Sequence, residues 1–148
     1  MTSRVELDIN EPQTQLARLF ADPRNNPAWM DNVERIEPIS GAAGQFGSVY
    51  RMVPKGRGWT FVATVVERAL PEEVRLLLRG PRVTVEIKDN FVRLSDDRTR
   101  LISEETFTFE GFFRKAIGML ARGSIKRAHR RHMEAFKRFA ERRAAHAL

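Results

Sequence analysis

The sequence predicts an α+β fold: an antiparallel sheet of seven strands, with two short helices near its start and one long helix at its end. Three observations predict it. Strand-like segments recur from residue 32 to residue 110, separated by short phrases of turn-like composition. Connections that short leave little room for crossover helices, so successive strands are antiparallel neighbours. From about Phe112 the apolar spacing changes to a helical period.

The elements follow in order. "VELDI" alternates Val5, Leu7 and Ile9 with Glu6 and Asp8, the pattern of a strand with one wet face. Asn10 can cap the helix that follows, where "EPQTQLARLF" places Pro12 in the first turn and Leu16, Leu19 and Phe20 at helical spacing. "ADPRNNPAWMDNV", broken by Pro23 and Pro27, predicts a second short helix carrying Trp29. Strands are expected at 32–39, 46–54, 58–68, 73–79, 83–94 and 99–110. In "GSVYRMVPKGRGWTFVATVVE", a turn at Lys55 and Gly56 sets Met52 opposite Trp59 and Tyr50 opposite Phe61, with Ala63 and Val65 continuing that face inward.

The last hairpin carries a conflict. A two-residue turn at Asp96 and Asp97 sets Val85 opposite Thr108 and Ile87 opposite Thr106, whereas a one-residue shift matches Ile87 with Phe107 and Val85 with Phe109. A bulge or an odd-length turn would reconcile them, and "KDN", residues 88–90, is the expected place for a bulge. Glu105 then shares a face with Leu101, Phe107 and Phe109, where a carboxylate must find a partner, such as Lys88 or a helix cation, or become protonated. A helix over 112–145 carries Phe113, Ile117, Leu120, Ile125, His129 or Ala128, His132, Phe136 and Phe139 on one face, with Gly118, Gly123 and Ser124 in its first half.

Composition bounds the function. At 148 residues the chain fits one domain over 1–148. It has no cysteine, which excludes disulfides and thiolate metal sites. "MTSRVELDIN" is too charged for a secretory signal, and no stretch approaches the roughly 18 apolar residues of a membrane span, so a soluble cytoplasmic protein is expected. The net charge of +7 is unevenly placed: residues 112–148 hold 11 Lys and Arg against Glu134 and Glu141, net +9, while residues 1–111 hold 15 against 17, net −2.

The ordered set of elements, with the phrases "NEPQTQLARLFADPRNNPAWMDNVERIE", "GQFGSVYRMV" and "RRHMEAFKRFAE", resembles the helix-grip fold of the START-related superfamily. That superfamily (SRPBCC-type) includes polyketide cyclase/dehydrase-like proteins and the birch-pollen-allergen family. The resemblance implies a curved seven-stranded sheet gripping the last helix around a cavity for apolar or amphipathic ligands. Carried onto this sequence, it implies a pocket lined by Tyr50, Met52, Trp59, Phe61, Phe107 and Phe109, and by Leu120, His129, Met133 and Phe136 from the helix. Glu105, Tyr50 and His129 would be its polar points.

Three functions remain open. The first is binding or carriage of a hydrophobic or amphipathic small molecule, lipid, polyketide or isoprenoid-like. The second is a cyclase/dehydrase-type enzyme in which His129 with Glu105 or Tyr50 is a general acid/base pair; no catalytic residue is assigned. The third is an adaptor to RNA or an anionic membrane through the stripe Lys126, Arg127, Arg130, Arg131, Lys137 and Arg138, left outward once Met133, Phe136 and Phe139 face in. No aromatic interleaves that stripe, which argues against base stacking. His129 and His132 are two nitrogen ligands without a defined third, so no metal site is assigned, and no phosphate loop or dinucleotide fingerprint calls for a cofactor.

Overall fold

The computed structural model describes residues 1–111 and 121–146. The strands are β1 (Thr2–Ile9), β2 (Val33–Ser40), β3 (Val49–Pro54), β4 (Phe61–Ala69), β5 (Glu73–Arg79), β6 (Val83–Ser95) and β7 (Arg98–Phe109). They form one antiparallel sheet in the order β1-β7-β6-β5-β4-β3-β2. Helices α1 (Gln13–Ala21) and α2 (Asn26–Trp29) carry the chain from one edge of the sheet to the other, and α3 (Arg122–His146) packs against β1, α1 and α2. This is the helix-grip arrangement that the sequence predicts. The expected helix residues 112–120, among them Phe113, Ile117, Gly118 and Leu120, lie outside the described residues. No helix among the described residues is long and apolar enough to cross a membrane.

Strand β1 begins at Thr2, so the residues of its buried face include Ser3 as well as Val5 and Ile9. Asn10 does not cap α1. Pro12 precedes the first turn in an extended conformation, and its carbonyl accepts from the Leu16 amide at 3.0 Å. The Gln13 amide nitrogen donates to the Phe91 carbonyl at 2.7 Å, tying α1 to β6 and leaving Leu16, Ala17 and Phe20 buried against the sheet. A single 3₁₀ turn over Pro23–Asn25, entered at Asp22, then sets α2 and its Trp29.

Two hairpins depart from the expected registers. Between β3 and β4 Met52 pairs with Phe61 and Tyr50 with Ala63, a two-residue displacement that keeps the inward face and leaves Trp59 in the loop. Gly56 turns this loop at a φ of 65°, a left-handed conformation that glycine adopts without a Cβ clash. Between β6 and β7 the two-residue turn is present, with Ser95 opposite Arg98, but the bulge follows at once between Arg93 and Ser95. It is not at residues 88–90, and the shift runs the other way: Val85 pairs with Phe107, and Ile87 with Glu105. A bulge beside the turn interrupts no inward side chain of the long ladder, and the alternation Val83, Val85, Ile87, Asp89, Phe91 stays in phase.

The buried side chains form two clusters. One joins α1, α2 and α3 to β1, β5, β6 and β7 around Phe20, Trp29, Phe91 and Phe136. The other, Val33, Tyr50, Met52, Ala63 and Val65, lies on β2, β3 and β4. Met30 and Leu76 pack against both. Between the clusters the sheet is incompletely filled.

Candidate functional site

The space between the clusters is a cavity of two chambers. The inner one, about 80 Å³, lies among α2, α3 and the middle of the sheet, and takes in Tyr50, Trp29, Asp89, Ser103, Glu105 and Met133. Its volume exceeds the ~10–15 Å³ that a single water needs. The outer one, about 450 Å³, is bounded by the β3–β4 loop and the start of α3, and takes in Trp59, Phe61, Val85, Phe107, Ile125 and His129. Met30, Met52, Leu78, Glu105 and His132 belong to both walls, so the chambers meet at these side chains.

Most of the wall is apolar because the inward faces of β3, β5 and β6 are. Phe61 is oriented by its neighbour across the sheet: a Cβ on Gly80 would stand 2.7 Å from its ring. Phe107 stacks on Phe109 with ring centroids 6.1 Å apart, and only Phe107 reaches the cavity wall.

The polar groups gather at the inner end. Glu105 stands between Ile87 on β6 and Ser3 on β1, and burial pushes its carboxyl up to about 7. Asp89 is directly opposite Ser103 and wholly buried. Burial pushes it up to about 8; the Ser103 hydroxyl opposes the rise and the charge of Glu105 adds to it. Although the Ser103 hydroxyl is close enough to act on Asp89, its geometry falls short of a hydrogen bond, and both Asp89 oxygens are without a partner. Tyr50 is pushed up to about 12 by burial, against the effect of a hydrogen bond with Asn26.

His129 is buried behind this end of the cavity. Its Nδ1 lies 2.8 Å from Ser3 Oγ and its Nε2 2.9 Å from Ser103 Oγ. Burial, with the nearby His132 and Arg130 charges, holds it down to about 4, so the ring is neutral at pH 7. Its 3.8 Å approach to Glu105 is therefore not an ion pair at neutral pH. One ring nitrogen donates to one serine and the other accepts from the second, which fixes the imidazole as a brace between β1 and β7. Ser103→Ala leaves one nitrogen unpaired in the interior and should lower stability by about 1–3 kcal/mol in urea unfolding at pH 7; an unchanged midpoint would deny the brace.

The residues singled out from the sequence are thus distributed unevenly. Tyr50, Met52, Trp59, Phe61, Glu105, Phe107, His129 and Met133 border the cavity. Phe136 is in the core behind it, and Phe109 stands behind Phe107. Leu120 lies outside the described residues. Lys88 is not the partner of Glu105; it approaches Glu73 at 3.8 Å. The sequence reading missed Asp89, Ser103, Ser3 and Asn26; it placed His132 on the inward face of the last helix without assigning it to the cavity, where it borders both chambers. A signal for Asp89 was present, since it takes an inward place in the alternation that runs from Val83 to Phe91.

On the outer face of α3, Lys126, Arg127, Arg130, Arg131 and Arg138 are exposed. Arg130 lies 3.9 Å from Glu134 and Arg131 3.6 Å from Asp31. Lys137 is half-buried and borders a separate polar groove with Asp8, Arg98 and Arg100.

Solved structures with this fold include a START superfamily protein from Mycobacterium smegmatis, with a TM-score of 0.78 at 14% identity, covering 95% of this chain and 97% of that one. The Zhui aromatase/cyclase from Streptomyces sp. R1128 aligns with a TM-score of 0.77 at 18% identity, covering 97% of this chain and 95% of the other. At such identities the likeness is one of fold. No curated protein matches the chain in sequence. The family model for polyketide cyclase / dehydrase and lipid transport matches residues 2–141, nearly the whole length, and the chain belongs to that family.

Proposed function

We propose that this chain binds a hydrophobic or amphipathic small molecule in the two-chambered cavity, the apolar part in the outer chamber and a polar group at the inner end. The observation that carries this reading is the joining of an apolar-walled chamber to a small one in which Asp89, Glu105 and Tyr50 converge. A large apolar surface with a few placed polar groups is the usual make-up of a small-molecule site. The family, whose description spans cyclases and lipid transport, supports the same reading.

The test is direct. Denaturing the purified protein in organic solvent and analysing the extract by mass spectrometry should release a stoichiometric apolar compound, or the emptied protein should bind a fluorescent apolar dye. Leu78→Trp fills the junction of the chambers and should reduce retention or dye affinity about 10-fold, at a packing cost of about 1–3 kcal/mol. Equal binding by a folded Leu78→Trp protein would place the ligand elsewhere, and an empty extract with no dye bound would sink the reading.

A second reading, acid–base catalysis of a cyclisation or dehydration, is favoured by one observation: Glu105 and Asp89 hold protons close to neutral pH inside the cavity. His129 does not share that role, because both its nitrogens are occupied by serines. Turnover of a bound polyketone lost in Glu105→Gln with binding retained would favour catalysis by this carboxyl; turnover retained in the variant would reject Glu105 as the acid–base group, and no turnover by the parent protein would reject catalysis.

A further inference from the structure

The wall of the inner chamber carries the oxygens of Asp89, Ser103 and Glu105, beside the unpartnered Trp29 Nε1 donor. Among the described residues of its wall there is no lysine or arginine. Two carboxyls face it from adjacent strands: Asp89 on β6 and Glu105 on β7, the latter two residues along from Asp89's partner Ser103. Diagonal neighbours on one face of a sheet lie about 7–8 Å apart at Cα, within reach of a single bridging group. Both Asp89 oxygens are buried without a hydrogen bond. A buried polar atom without a partner is destabilising, so such a pair is a place where a ligand can supply what the protein lacks.

Among the described residues, no group in the inner chamber neutralises the pair; Lys55 and Arg57 of the β3–β4 loop border the outer chamber, whose wall Glu105 shares, and both are exposed to solvent. From α3 come His129 and His132, both driven toward the neutral form by burial. His132 Nε2 stands 3.5 Å from Asp31 Oδ1, also without a well-formed hydrogen bond. From β3 comes Tyr50 and from α2 Asn26, both uncharged. On β5 the neighbours are Val74 and Leu76, and on β1 Ser3 and Val5. Arg68 on β4 lies in the same cross-sheet row as Asp89, with Val74 between them, and does not line the chamber.

We infer that the ligand's inner end is a protonated amine, seated between the Asp89 and Glu105 carboxyls with its hydrocarbon part in the outer chamber. This rests on the cavity being the ligand site. An ammonium brings the positive charge and up to three N–H donors, which an alcohol supplies only in part and a carboxylate opposes. Binding is coupled to proton release. The pair holds protons near neutrality when no cation is beside it, and an ammonium favours the ionised carboxylates, so seating it expels a proton. Amine affinity therefore rises with pH from about 6 to 9, while the amine itself stays charged as lysine does up to about pH 10.

Three probes with one tail separate this from the alternatives: octylamine, octan-1-ol and octanoate. Calorimetry at pH 7.5 in two buffers of different ionisation enthalpy reads affinity and proton release together. The expected result is octylamine bound about 10-fold or more tightly than octanol, octanoate weakest, and close to one proton released per octylamine. Asp89→Asn and Glu105→Gln keep the shape, and in each the preference for octylamine over octanol falls about 10-fold; that each variant is folded is verified by its circular dichroism spectrum and a cooperative urea transition. If octanol or octanoate binds as well as octylamine, or no proton leaves, the amine inference is overturned while the cavity remains the ligand site. If none of the three binds and an apolar dye is also refused, the ligand-cavity reading fails with it.

Discussion

Truncating Phe136 to alanine is expected to lower the free energy of unfolding by about 3–5 kcal/mol, read from urea midpoints at an unchanged m-value. Phe136 is wholly buried on α3, and its ring is the meeting point of three elements. It lies 4.8 Å from the Phe20 ring, nearly perpendicular, and 5.2 Å from Trp29, while Phe20 reaches Phe91 at 5.5 Å. Edge-to-face contacts of this kind add about 0.5–1.5 kcal/mol each to the burial of the ring. Removing the ring opens a hole bounded by helix and sheet residues that the surrounding backbone holds apart, so collapse is limited. Phe61→Ala should cost much less, because its ring already faces the outer chamber. A loss below about 1 kcal/mol in Phe136→Ala would mean that the empty space extends beneath the helix.

Phe136 also shows where sequence reasoning stops. Its spacing with Met133 and Ala140 identifies the inward face of α3, but periodicity does not distinguish a side chain that fills a core from one that borders a void. Both are apolar and both face inward. Met133, one turn earlier, borders the inner chamber; Phe136 does not. The order of strands and helices was legible because each element repeats its own period and the connections are short. Parity was legible in the β3–β4 hairpin because a two-residue displacement leaves every side chain on its face. The β6–β7 register was not, since the bulge at the turn has no mark of its own in "LSDDR". That single residue decides whether Ile87 faces Thr106 or Glu105. Ser3 and Ser103 were unreadable for another reason: a serine on an inward face becomes informative only when a partner such as His129, distant in sequence, is placed against it.

Replacing Asp89 by asparagine should stabilise the protein at pH 8 and leave it nearly unchanged at pH 4. The folded carboxyl is pushed up to about 8 from an ordinary value of 3.8, chiefly by burial. Between those two pH values the unfolded chain has lost this proton and the folded chain keeps it. The folded state then binds more protons than the unfolded state, so stability falls as pH rises, by up to about 1.4 kcal/mol per pH unit over that window. Asparagine ionises in neither state and has no such loss. The gain at pH 8 should be on the order of 3–5 kcal/mol, reduced by whatever water enters the chamber.

Two other buried groups titrate nearby. Glu105, raised to about 7, makes stability fall between about pH 4.5 and 7 in both proteins. His129, held down to about 4, makes it rise with pH between about 4 and 6.5, because there only the unfolded ring is charged. To the extent that removing Asp89 leaves them unaltered, they cancel in the difference between variant and parent, so the difference isolates Asp89. Parallel stability curves for the two proteins from pH 4 to 8 would show Asp89 ionised in the folded chain. A cation, with Arg68 in the same cross-sheet row, would then already have taken the place that the structure leaves for a ligand amine.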